Sequence, residues 1–435
     1  MIAIVSTAGR LLAAHWPAIL AWFFAGVLAN HLLLQLAGTV GAYSALGGAL
    51  LLPLGILARV VSYVAMFLVV RDGMRQLGLV APYPPRGRER RQTFVRSLLA
   101  SILPFIAFYG ASGLLRDDVN AYFQRVLQVR TQLLLQHGPD AEVGDAANGW
   151  LELGPGTLAL IVVAFGIRWL LDRHRDRLPR WSVLLSVYLE TLWVFLAATA
   201  VGDLVARVSA WVQTRQAMVW LDDVRSWLAD LFTPVIWAWD GVLWLAGQVG
   251  EVMLLPLAWL TIAGVVYGQA VAHAPVRVAH RSVAAAQARW AGVPGWLRTR
   301  LVDLWNDLTG RFQPIWRAIV LMWRAGPVLI GTYVLAFAVL RALEPVVGFG
   351  ITRLIGPHDL QGFWMVNDQI ILLAIPLVIE PLRIALVAGG YDAVIGRLRG
   401  HDADALPAEE PSAPLRARAR TRRTSAGQDR TRTRA

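Results

Sequence analysis

Apolar residues along this chain fall into eight blocks of roughly 20, separated by polar stretches. At 1.5 Å per residue, about 20 helical residues match a hydrocarbon core about 30 Å thick. The blocks predict transmembrane helices over Trp16–Leu36, Ala49–Val70, Ser97–Leu115, Leu153–Leu171, Trp181–Val201, Val252–Val271, Ala325–Leu343 and Ile370–Gly389. The expected fold is therefore an all-α integral membrane protein, an eight-transmembrane-helix bundle over residues 1–400. The first block is too long for the core of a cleavable signal and leads straight into a second span.

Shorter periodic segments lie between the blocks. At 100° per residue, Trp220, Leu221, Val224, Trp227, Leu228 and Leu231 share one face, with Asp222, Arg225 and Asp230 opposite. This is the pattern of an amphipathic helix at a membrane interface, with Trp220 and Trp227 at headgroup level. Val119, Tyr122, Phe123, Val126, Leu133 and Leu134 make a second such stripe, and Leu297, Leu301, Leu304, Trp305 and Leu308 a third. The tryptophan-rich stretch 234–250 contains Asp240 and Gln248 and reads as re-entrant or interfacial, because a ninth span would invert every later loop.

Charge tests the span assignment. The chain is 56% hydrophobic and 16% charged, and its 41 basic residues are all arginine. On the side of the N-terminus the segments hold 30 arginines and 12 acids, against 7 and 15 on the other side. Net charge of +18 facing −8 is the positive-inside pattern, so both termini are expected in the cytoplasm of a plasma-membrane protein. The tail 401–435 has no apolar periodicity and is expected to be disordered. Its arginines and those of the cytoplasmic loops suit anionic lipids, each worth about 1 kcal/mol near the surface. The calculated pI near 10.9 thus points to the lipid bilayer rather than to nucleic acid.

Candidate chemistry is concentrated in charges far from span ends. Arg59, Glu190 and Glu380 lie near the middle of their spans, and Arg383 follows Glu380 by one turn on the same helical face. Such groups are costly in hydrocarbon and are expected to face inward and pair, Arg59 with Glu190 or Glu380. Arg168 and Arg341 are close enough to span ends to snorkel. Pro376 and Pro381 flank Glu380 and are expected to loosen its helix. Within this cluster, paired charges would hold helix register, whereas a carboxylate left over from pairing could exchange protons during transport.

Enzyme signatures do not assemble. With no cysteine and no lysine, thiolate chemistry, Schiff bases and phosphate-binding lysine loops are excluded. Gly110-Ala111-Ser112-Gly113 has the form of a serine-nucleophile motif, but His273 falls at the opposite end of the bundle, so close helix packing accounts for the glycines. Asp222-Asp223 belongs to a solvated face, and His273 with His280 lacks further metal ligands. No catalytic, cofactor or metal residues are assigned. The leading expectation is a transporter-like protein for a small solute or lipid, working through the Arg/Glu cluster. The alternatives are a membrane scaffold that assembles with another membrane protein, and an enzyme acting on lipid-linked substrates.

Overall fold

The computed structural model describes residues 2–81, 86–111, 113–138, 153–174, 178–179, 181–231, 240–241, 244, 247, 250–271, 319–320 and 324–405. Every element among them is helical. In chain order they are α1 (Ile2–Tyr43), α2 (Ala45–Val70), α3 (Arg75–Val80), α4 (Gly87–Ala111), α5 (Leu114–His137), α6 (Pro155–Arg173), α7 (Ser182–Gln213), α8 (Gln216–Leu231), α9 (Leu255–Val271), α10 (Pro327–Ile355) and α11 (Met365–Ala405). A 3-10 turn, Arg71–Gly73, joins α2 to α3, and wider π turns at Gly250–Leu254 and Leu360–Trp364 lead into α9 and α11. The amphipathic segment around Trp305 lies outside the described residues, as does most of 234–249.

Among the described residues, seven helices are long and apolar enough to cross a membrane: α1, α2, α4, α6, α7, α10 and α11. The apolar block expected to give an eighth forms the shorter α9 after its π turn. Hydropathy marks where apolar sequence stops, whereas the helices themselves continue. Thus α1 extends the Trp16–Leu36 block by a dozen residues or so at its N-terminal end and reaches Tyr43, and α7 reaches Gln213. Likewise α11 runs through Pro376 and Pro381 without interruption, and continues to Ala405, into the segment expected to begin the disordered tail.

Helix α2 is the hub and touches α1, α4, α5, α7, α9 and α11. Its core face is lined by Leu52, Ile56, Val60, Met66 and Phe67, all fully buried. Close approach is made by small residues where the helices cross. A Cβ at Gly26 would overlap Ser62 of α2, and one at Gly389 would meet backbone of α1 at Ile4 and Ala8. That second contact puts the chain's N-terminal turn and the end of α11 at one end of the bundle. Asp392 reinforces it by accepting the Gln76 and Leu77 amides, so a side chain of α11 caps α3.

One contact departs from simple alternation of eight spans. The Tyr188 hydroxyl donates to the Leu50 carbonyl at 2.8 Å, which puts the second turns of α2 and α7 side by side. Strict alternation from Ala49 and Trp181 starts these two spans on opposite faces and separates the two residues by well over ~10 Å in depth.

Candidate functional site

Among the described residues, three ion-paired groups lie between the helices. The first joins α1, α2, α4 and α5. Arg59 reaches Asp118 at 3.2 Å and also donates to the Asn30 side-chain oxygen at 2.9 Å. Asp118 further accepts from the Tyr109 hydroxyl at 2.6 Å and the Asn30 amide at 3.2 Å. Asn30 completes the network by donating to the Gly55 carbonyl. The Arg59 guanidinium lies 5.5 Å from the centre of the Tyr109 ring. The carboxylate is thus satisfied from three sides, as a buried charge must be.

This corrects the expected partner of Arg59, which is neither Glu190 nor Glu380 but an aspartate expected in an external loop. The cause is the break between α4 and α5. Helix α4 stops at Ala111, short of the expected Leu115, and Gly113 takes the left-handed conformation (φ 86°) that glycine tolerates without strain. Helix α5 then lies against α1, burying Asp118, Tyr122, Val126 and Val129. It is the amphipathic helix expected from its stripe, but its apolar face is covered by protein.

The second group lies between α6 and α7. Arg168 meets Glu190, both largely buried. Arg168 was expected to snorkel to a span end; instead it supplies the charge that Glu190 needs.

The third group has a different stoichiometry. Arg383 on α11 binds Glu380, one turn earlier on its own helix, and Glu344 on α10. Its guanidinium also lies 5.7 Å from the Trp259 ring of α9. Trp259 is fully buried and sits 5.2 Å, ring to ring, from Tyr63 of α2. Tyr63 in turn faces Glu380, and Glu380 lies within electrostatic range of Arg59. Glu380 Oε1 takes the arginine, and the buried carboxylate also lies within hydrogen-bonding reach of the Tyr63 hydroxyl. Two carboxylates share one guanidinium in an aromatic, apolar setting.

The chain matches no protein-family model, and neither a characterised protein nor a solved structure is detectably similar to it. The geometry of these groups therefore carries the functional argument.

Asp118 and Glu344 are the site residues that span prediction missed, yet each continues a buried stripe. Asp118, Tyr122, Val126 and Val129 recur at helical spacing on α5, and Tyr333, Phe337, Leu340 and Glu344 do so on α10. Trp220 and Trp227, by contrast, are not brought to any of the three groups. Both stand on α8 with about 60% of their surface exposed, at 63% and 60%. Among the described residues no group of three or more potential metal ligands occurs.

Proposed function

We propose that this chain is a transporter-like protein of the cell membrane in which Glu380, Arg383 and Glu344 form the proton-exchanging centre. The supporting observation is the two-to-one ratio of carboxylates to guanidinium. With every group ionised, the triad carries one uncompensated negative charge in an apolar interior, where charge is costly. One proton shared between the carboxylates removes that charge, and its loss restores it. A site that changes net charge by one on proton binding is what a proton-coupled transporter needs.

In this reading the seven long helices and the shorter α9 lie in the bilayer, without the strict alternation of eight spans that the Tyr188–Leu50 contact breaks. Both termini face the cytoplasm. The positive-inside rule supports that orientation from structure as well as sequence, because Arg10, Arg71, Arg75, Arg397 and Arg399 belong to the end where α1 starts and α11 ends. The exposed Trp220 and Trp227 suit a headgroup layer, and the arginine-rich tail suits anionic lipids. The scaffold reading draws on the other two groups, in which, among the described residues, one arginine meets one carboxylate.

A pH jump separates the two. Proteoliposomes adsorbed on a sensor membrane and exposed to a sudden pH change should give a transient charge displacement, because the triad gains or loses a proton inside the dielectric. Glu380→Gln should abolish it. A wild-type protein that gives no displacement beyond that of empty liposomes would favour the scaffold.

A further inference from the structure

We infer that Asp118, on α5, sets the pH at which the triad gives up its proton, and that it does so through Arg59. The inference rests on the proton-exchange reading above and names how that site is regulated. Asp118 and Arg59 are then positioning residues for the centre, not members of it.

A continuous wall of buried aromatic rings joins the two charged groups. Tyr109 of α4, which donates to Asp118, stacks on Phe105 with ring centres 5.6 Å apart. Phe105 lies 5.4 Å from Tyr63 of α2, and Tyr63 lies 5.2 Å from Trp259 of α9. Each end of the wall carries a guanidinium, Arg59 at Tyr109 and Arg383 at Trp259. Phe105, Tyr109 and Trp259 are fully buried and Tyr63 nearly so. Packed rings screen charge far less than water does, so the two groups act on one another.

Glu380 faces Arg383 on its own helix, Glu344 on α10, and Tyr63 and Arg59 on α2. Tyr333 of α10 lies within range of Arg383, and α9 faces the triad with Trp259, which does not titrate. Of these groups, Arg59 also binds a carboxylate outside the triad. While Asp118 stands 3.2 Å away it neutralises the guanidinium, and the triad meets a nearly neutral pair. The surplus negative charge of the ionised triad then goes uncompensated, and the centre keeps its proton. Without Asp118 the Arg59 charge acts on Glu380, the ionised triad is stabilised, and the proton leaves at lower pH. Helix α5 brings this aspartate in from beyond the break at Gly113. Detaching α5 from α1 therefore has the same sign as removing the carboxylate: it releases the proton.

The test is the pH midpoint of the triad's carboxyl band in infrared difference spectra of the reconstituted full chain. Loss of the band in Glu380→Gln identifies it. Asp118→Asn keeps an oxygen for Tyr109 to donate to, so the variant should fold. Its midpoint should fall by about one pH unit, a tenfold weaker hold on the proton. Arg59→Gln should act with the opposite sign and raise the midpoint, because Asp118 then stands uncompensated. Combining the two removes both charges and should bring the midpoint back towards the wild type. Asp203→Asn, paired with Arg207 on α7, should leave it unchanged. A midpoint unmoved in either single variant, or raised by Asp118→Asn, would overturn the inference and leave proton exchange standing. A double variant that keeps the full Asp118→Asn shift would also overturn it, since the aspartate would not be acting through Arg59. A wild type with no titrating band would remove the proton-exchange reading itself.

Discussion

Arg168–Glu190, between α6 and α7, and Glu380–Arg383–Glu344, between α10 and α11, both put arginine and glutamate in the interior of an apolar bundle. Among the described residues, the first is one cation against one anion on two adjacent helices. The second has one anion too many, and its arginine also lies against Trp259 on a third helix. Removing a partner from a closed pair leaves a buried charge bare, whereas removing one carboxylate from the triad leaves a neutral pair. The two regions should therefore lose stability to very different extents when one partner is removed. A pair of this kind holds helices in place; a surplus carboxylate can change protonation while its neighbours stay where they are.

The largest expected effect is at the closed pair. Arg168→Ala should destabilise the fold by about 3–5 kcal/mol, the usual cost of stranding one member of a buried ion pair. Adding Glu190→Ala should restore part of the loss. Unfolding in mixed micelles by increasing denaturing detergent, read from tryptophan fluorescence, gives both numbers. A double variant no more stable than Arg168→Ala would show that the pair is not a unit.

An intermediate effect is expected where α5 is fastened. Tyr109→Phe removes the 2.6 Å donor to Asp118 but keeps the ring over Arg59. A hydrogen bond to a charged group contributes about 1.5–3 kcal/mol, and the same unfolding measurement should show a loss in that range. A loss below ~0.5 kcal/mol would mean that Asn30 and Arg59 alone satisfy the aspartate.

The contrast between these groups also shows what could be read before the structure. Periodicity located the apolar helices and the amphipathic α5 and α8, because hydrophobic spacing is local information. The charged positions within spans, Arg59, Glu190, Glu380 and Arg383, were legible for the same reason. Their partners were not. Asp118 sits three residues beyond its apolar block and Glu344 one beyond its own, where an acid ordinarily belongs to solvent, and the helices carry them back into the bundle. Asp118 is 59 residues from Arg59, and Glu344 is 39 from Arg383, so only tertiary packing brings them together. The stripe that each extends was the available signal, and a count of loop charges overlooks it. Arg168 was missed for the complementary reason: a side chain long enough to snorkel is also long enough to reach a neighbouring helix.

The smallest stability effect should come from the triad. Glu380→Gln should cost no more than about 1 kcal/mol, because Arg383 keeps Glu344 and a buried amide replaces a surplus charge. A loss of several kcal/mol would make the triad a closed structural unit like Arg168–Glu190 and would remove the distinction drawn here.

The difference between the two regions is tested most directly by infrared difference spectroscopy of the reconstituted protein across a pH step, which detects the carbonyl stretch of a protonated carboxyl group. The wild type should show one buried carboxyl band that appears on acidification and vanishes on return. Glu380→Gln or Glu344→Gln should remove it, and Glu190→Gln should leave it untouched. A wild-type spectrum without a titrating carboxyl, or a band that disappears with Glu190 and survives loss of Glu380 and Glu344, would contradict the account.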